Sequence, residues 1–243
     1  MKTILIILAL FIIHIQVYAQ NSSSSRFGLA YTGMTLGISK GNFQGFNNYL
    51  KELNNNPNIP AATLNGRFGH HAGMFLTIGL NAGFRLGIRG LQGELHTKTG
   101  GLGSTATATQ NSGKPYKYQQ NVDVGMVYYG GGLHQNFRTG NGFFGVGMSY
   151  DFTRYSLKAE NEATEQSVKY GKQTSVSYTP YIQYTFSDQY PLSIRFSYSI
   201  NHTMMDYSKL NQFSNSAPEG DYLKSNMSSC SMEISIPFYS SLE

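Results

Sequence analysis

Histidine is the residue type in this chain with the widest range of chemistry, so its neighbours are the first place to look for catalysis. A hydrolase built on a His-x-Ser pair needs serine two residues after histidine, together with an acidic partner. None of the six histidines has serine at that position. They are His14, His70, His71, His96, His134 and His202. The spacing therefore predicts no catalytic histidine of this kind.

Metal and cofactor sites are equally poorly supported. His70 and His71 are adjacent, and adjacent residues of a strand point to opposite faces, so only one ring can turn inward. The glycine-rich segment 100–104 lacks the following Lys-Ser/Thr and helix of a phosphate-binding loop. The single cysteine, Cys230, excludes an intramolecular disulfide framework and a multi-cysteine zinc site. We therefore expect no enzyme activity, no metal and no cofactor.

The composition indicates an all-β protein with an unusual surface. The 243 residues include 27 Gly, 18 Tyr and 15 Phe but no Trp, and only 13% are charged. That charged fraction is about half the usual share, which leaves little to cover a water-exposed surface. The net charge of +5 is spread along the chain without a Lys/Arg cluster, so a nucleic-acid partner is not expected.

The N-terminal segment has the features of a secretory signal. Lys2 precedes an unbroken apolar run over 4–13, and Val17-Tyr18-Ala19 supplies the small residues of a cleavage site. We predict a signal peptide over 1–19 and a mature domain over 20–243. The apolar run is too short for a membrane-spanning helix, although an uncleaved anchor is the alternative. The classes that remain are a secreted protein, a periplasmic protein and an outer-membrane protein.

Apolar residues alternate with small or polar residues through most of the mature chain, which is the pattern of half-buried strands. The pattern predicts eight strands, roughly over 26–39, 66–81, 83–98, 115–133, 142–155, 173–187, 191–204 and 224–239. The phase changes at Thr32-Gly33 and at Arg89-Gly90, where we expect β-bulges. Connections alternate between long and short, with tight turns expected at 81–82 and 188–190. This alternation is typical of an up-and-down barrel.

Alternation alone does not say which face lies outside, because a soluble barrel and a membrane barrel reverse the two faces. The apolar faces carry almost no charge, the other faces are rich in Gly, Ser, Thr and Asn, and tyrosines gather at strand ends. We therefore predict an all-β, eight-stranded antiparallel up-and-down transmembrane β-barrel. Its charged lumen network would comprise Arg85, Arg89, Glu94, Asp123, Asp151, Arg195 and Glu233. Gln92 and His96 share the face of Glu94, and we interpret them as hydrogen-bonding partners.

The segment 88–100 carries a resemblance to a known family. Leu91, Gln92, Glu94, Leu95 and Lys98 match the Leu-Gln-Pro-Glu-Leu and Lys-Gly pattern of the PorT-like outer-membrane β-barrels common in Bacteroidetes-type bacteria. The match departs at two points: the proline is replaced by glycine, and a threonine separates the lysine from the following glycine. The resemblance implies an eight-stranded outer-membrane barrel, mostly without assigned activity, with a short helix in its first loop.

The first long connection supports such a helix, over 43–53. Phe46, Tyr49, Leu50 and Leu53 would share one face, either as a lid packed on the barrel rim or as a partner-binding surface. We predict a non-enzymatic envelope protein of the outer membrane, acting as a structural element or as a surface-interaction module through its long loops. Its partners would be outer-membrane lipid and an extracellular or envelope protein. The alternatives are a narrow channel or small-ligand-binding barrel and a secreted soluble barrel for an apolar ligand.

Overall fold

Strands make up most of the computed structural model, which describes residues 27–55, 67–112, 114–161, 166–186, 192–208 and 220–240. The eight long strands are β1 (Phe27–Gly41), β2 (Met74–Leu86), β3 (Leu91–Ser112), β4 (Lys114–Thr139), β5 (Gly142–Asn161), β6 (Gln166–Thr185), β7 (Ser193–Asn201) and β10 (Ser229–Ser240). The smaller elements are the helix α1 (Gln44–Asn55), the three-residue strands β8 (Met204–Asp206) and β9 (Lys224–Asn226), and a 3-10 turn (Asp221–Leu223). The predicted signal peptide lies outside the described residues.

The eight long strands close into a barrel. Each is antiparallel to both neighbours, in the order β1-β10-β7-β6-β5-β4-β3-β2, and β1 completes the ring by pairing with β10 as well as with β2. The predicted eight-stranded antiparallel up-and-down fold is therefore confirmed. The bulge predicted at Thr32-Gly33 is also confirmed, because the register between β1 and β10 shifts there. β8 and β9 form a separate two-stranded sheet.

The first short turn differs from the prediction. The turn expected at 81–82 is wrong, since β2 continues through it and Asn81 turns inward to donate a hydrogen bond to Ser235 Oγ at 2.8 Å. The chain reverses instead over 87–90, where Gly87 and Gly90 have φ of 77° and 75°. Residues with a Cβ rarely adopt this left-handed conformation, and the expected bulge at Arg89-Gly90 is part of the turn.

Two connections that were expected to be long are largely strand. β3 pairs with β4 as far as Ser112 and Lys114, and β5 pairs with β6 as far as Asn161 and Gln166. The sequences of these two connections are polar and lack the alternation of apolar residues that predicts a strand. β2 stays paired with β3 only to Gly101, so the two hairpins β3–β4 and β5–β6 extend beyond the rest of the barrel on one side.

The barrel has two levels with opposite side-chain distributions. The lower level runs from the short turns up to Phe152 on β5, and the upper level begins at Arg154. The outer surface of the lower level is apolar on all eight long strands, a feature we call the apolar band. Its members include Leu36, Ile38, Leu76, Ile78, Leu80, Leu95, Leu133, Met148, Phe152, Ile182, Phe196, Ile200, Ile234 and Phe238. The interior of this level is polar.

In the upper level the arrangement is reversed. Outward-facing Arg154 and Ser156 are exposed, while Tyr155 and Leu157, which alternate with them, are buried. Residues from β3 and β4, among them Leu102 and Val124, join the same apolar core. Within the described ranges, no helix combines the length and apolar character that spanning a membrane requires.

Candidate functional site

The strongest chemical feature of the lower level is an ion pair across the barrel interior. Arg195 on β7 donates two hydrogen bonds to the carboxylate of Glu94 on β3, one of them at 2.7 Å to Oε1. Tyr31 donates a third hydrogen bond to Glu94 at 2.5 Å, and Arg195 also donates to Gln183 Oε1. The guanidinium carbon lies 4.1 Å from the ring centroid of Tyr181. These contacts join opposite sides of the barrel through its centre.

His96 extends this network toward a second carboxylate. Its Nδ1 lies 3.2 Å from Glu94 Oε1 and its Nε2 lies 2.9 Å from Asp151 Oδ1, an arrangement that a protonated ring satisfies by donating twice. Asp151 accepts further hydrogen bonds from Ser149 and Thr179 through Oδ2. A separate pair is formed by Lys98 and Glu233, whose Nζ and Oε1 are 2.5 Å apart.

Glycines on the inner face make room for the large interior side chains. A Cβ at Gly83 would overlap the ring of Tyr31, and a Cβ at Gly147 would lie 2.6 Å from both Tyr181 and His134. The buried His134 in turn contacts the hydroxyl of Tyr181 at 3.1 Å and Gln92 Oε1 at 3.1 Å. Aromatic and charged side chains therefore occupy space that the glycines leave open.

Four of the residues predicted for the lumen network are buried in the interior: Glu94, Asp151, Arg195 and Glu233. Arg85 lies on the inward-facing phase of β2, half-exposed near the short turns. Arg89 is not in the network, because it is exposed in the turn at 87–90. The sequence reasoning missed the contributions of Tyr31, Gln183 and Lys98. Lys98 was detectable, since it continues the period-two series of Glu94 and His96.

Asp123 is also misplaced by the prediction. It belongs to the upper level, where Val122 and Val124 point inward at 0% and 1% exposure, so Asp123 points outward. The prediction assigned every apolar phase to lipid, whereas above the apolar band the apolar residues fill the core. Partial burial, and then the charge of Glu160, raise the pKa of the Asp123 carboxyl.

The upper level is closed by a lid, which consists of α1, β8, β9 and the 3-10 turn. Phe46, Tyr49, Leu50 and Leu53 of α1 are at most 3% exposed and pack in the core with Met126, Leu157, Tyr207 and Leu223. The rings of Phe46 and Tyr207 lie 5.6 Å apart, and burial raises the pKa of Tyr207. The interpretation of these four residues as a partner-binding surface is wrong, because the lid buries them. The alternative, a lid packed on the rim, describes their position.

A cleft of about 630 Å³, lined by both polar and apolar side chains, separates α1 from residues 67–73. Asn47 holds His71 by bonding both its backbone N–H (2.8 Å) and its carbonyl (3.0 Å). Asn54 holds Phe68 in the same two ways. The Nδ1 atom of His71 accepts the N–H of Gly73, and burial, followed by the charge of His70, lowers the pKa of His71. The amide side chains of α1 therefore hold residues 67–73 against the helix and fix the two walls of the cleft.

The described residues contain no group of three His, Cys, Asp or Glu side chains placed to hold a metal ion. His70 and His71 lie in the irregular segment before β2, where neither faces the barrel interior network.

The chain was compared with known proteins. No protein-family model matches it, and no curated protein matches it. The resemblance to PorT-like barrels therefore stays a prediction that depends on segment 88–100 and on the barrel layout.

Proposed function

We propose that this protein is an integral outer-membrane β-barrel with a non-enzymatic role, as an envelope structural element or a surface-interaction module. The supporting observation is the reversal of both faces at one height of the barrel. On β5, exposed Phe152 is followed by exposed Arg154, while buried Thr153 is followed by buried Tyr155. Hydrocarbon outside the lower level and water outside the upper level account for both changes, because each solvent selects the side chains that face it.

The dimensions of the apolar band agree with this proposal. Phe144 and Phe152 on β5 are both exposed and are separated by eight residues (152 minus 144). At about 3.4 Å per residue and a tilt of about 40°, this distance corresponds to a height of about 21 Å. Lipid-facing bands of such barrels are about 25 Å tall. A water-soluble monomer rarely exposes a continuous apolar belt of this extent.

The filled interior favours a structural or interaction role over conduction. The Arg195–Glu94 pair crosses the centre, and Tyr31 and Tyr181 occupy the space beside inward glycines. The lid packs over the upper level through Phe46 and its neighbours. A narrow channel is the weaker candidate, since ions would have to displace both obstructions.

Extraction of membranes tests the location. We expect the full chain to sediment with outer membranes, to resist extraction by alkaline carbonate and to dissolve only in detergent. Recovery in the detergent-free soluble fraction would overturn the membrane proposal. Planar-bilayer recordings of the purified protein test the plugged interior, and steady conductance steps would contradict it.

A further inference from the structure

The cleft between α1 and residues 67–73 opens at the boundary between the apolar band and the lid. Its floor includes Gly41 at the end of β1 and Gly73 immediately before β2. One step below, the outward pair Lys40 and Met74 stands at the top of the band, and the next outward pair is Ile38 and Leu76. Met74, Ile38 and Leu76 are large hydrophobic side chains that are exposed. A molecule in the cleft would therefore touch the apolar band directly.

The cleft has an unusual charge balance. Its walls contain amides, histidines and Lys51 but no carboxylate among the described lining residues. Lys98, Lys158 and Lys224 each have a carboxylate partner elsewhere in the structure. By contrast, Lys51, which lines the cleft, and Lys40, next to it, form no ion pair within the described ranges. Lys51 belongs to the lining of the cleft, and Lys40 immediately precedes Gly41, another lining residue.

We propose that this cleft binds the anionic saccharide headgroup of a phosphorylated glycolipid in the surrounding leaflet. The amides of Gln44 and Asn48 can bond sugar hydroxyls, and the ammonium groups of Lys51 and Lys40 attract phosphate as point charges. The acyl chains of the lipid lie along Ile38 and Leu76. A volume of about 630 Å³ lies within the usual range for ligand sites.

This inference rests on the proposed function, because it requires lipid around the apolar band. A free sugar phosphate offers the same headgroup chemistry without the chains. The contact with the band favours the lipid, since burial of acyl carbons adds about 0.8 kcal/mol per CH₂. The two sources can be separated by comparing the acylated molecule with its deacylated headgroup.

The test uses the full chain, purified in detergent micelles and titrated by native mass spectrometry. The probe is a defined acylated glucosamine disaccharide that carries two phosphates. We expect the double variant Lys40→Glu/Lys51→Glu to bind it about tenfold more weakly or worse, which equals 1.4 kcal/mol. The control Lys158→Glu reverses one charge elsewhere in the upper level and should change the affinity less than about twofold.

Each remaining comparison decides one part of the proposal. Equal affinity for a dephosphorylated glycolipid would overturn the role of the lysines, and equal affinity for the deacylated headgroup would overturn the lipid source. An unchanged affinity of the double variant would reject the cleft as the site. Both lysines lie at the surface, and outer-membrane sedimentation of the variant shows that it folds and inserts. A result against the cleft, with the protein still in the membrane fraction, leaves the proposed function standing.

Discussion

The lower and upper levels of this barrel use the same strands with opposite side-chain distributions. β5 passes from exposed Met148 and Phe152 to exposed Arg154 and Ser156, while its inner face passes from Ser149 and Asp151 to Tyr155 and Leu157. The pairing of β5 with β4 continues through the change without interruption, whereas the register of β5 with β6 shifts between Tyr155 and Leu157. The surroundings of a strand, rather than its own hydrogen bonding, therefore determine which phase carries the apolar residues.

The two levels also hold themselves together differently. The lower interior uses charge pairs and hydrogen bonds around Glu94 and Arg195, whereas the upper interior uses packing of α1 against β4 and β5. A buried ion pair is costly to break because the remaining charge stays desolvated. An apolar core loses mainly transfer and cavity energy. Substitutions in each level should therefore have different consequences.

The largest effect is expected from Arg195→Met. It leaves Glu94 buried without its cation, which should lower the free energy of unfolding by about 3–5 kcal/mol. Denaturant unfolding of the detergent-solubilised protein measures this loss. The matched control is Arg154→Met on the outer surface of the upper level, where we expect a change within about 0.5 kcal/mol. Similar effects at both positions would show that the interior pair is not important for stability.

Phe46→Ala should come next, with a cost of about 3–5 kcal/mol that falls on the lid and the upper core. Because the lower level does not depend on these contacts, the variant should still insert and resist proteolysis there. Limited proteolysis should cut the lid faster in the variant than in the parent protein. The exposed neighbour Lys51→Ala provides the control on the same helix. Loss of the whole barrel would mean that the two levels are not separable.

Val146→Arg tests the surroundings of the apolar band. On a lipid-facing surface the arginine should cost about 2–4 kcal/mol and reduce the yield of inserted protein. The same substitution at Ser156, on the same strand and face but in the upper level, should be tolerated because water solvates it. Insertion is measured by recovery in the outer-membrane fraction. Equal, negligible effects at the two positions would contradict the membrane location.

The smallest effect is expected at the pair between Lys158 and Glu160. Both side chains are about one-third exposed, so water screens their attraction. Lys158→Ala should change the free energy of unfolding by less than about 1 kcal/mol. A loss comparable with that of Arg195→Met, in the same denaturation assay, would show that exposed and buried pairs contribute alike.

The alternation pattern was sufficient for the architecture. It predicts eight strands, the all-β class and the bulge at Thr32-Gly33, because the side chains of a strand alternate between two faces. It was less reliable at the ends of strands. Asn81 resembles a turn residue but serves as an interior hydrogen-bond donor, and the polar hairpin tips beyond Gly101 lack the alternation that marks a strand.

For the helix, too, the sequence predicted the local structure but not the tertiary contacts. Its approximate position and its apolar face follow from the spacing of Phe46, Tyr49, Leu50 and Leu53, and the observed helix begins one residue later and ends two residues later than predicted. Whether that face meets a partner or the barrel itself depends on where the loop returns. Only the fold brings Tyr207 and Val122 against it.

By itself, the sequence determined the eight long strands and the helix, because these features depend on local periodicity. The tertiary structure decided which phase of β4 turns inward, and hence that Asp123 faces out. It also decided that Glu94 meets Arg195, which lies 101 positions further along the chain. These contacts depend on closure of the sheet into a barrel. Alternation along a strand defines its two faces, but it does not say which side chains of distant strands meet inside the barrel.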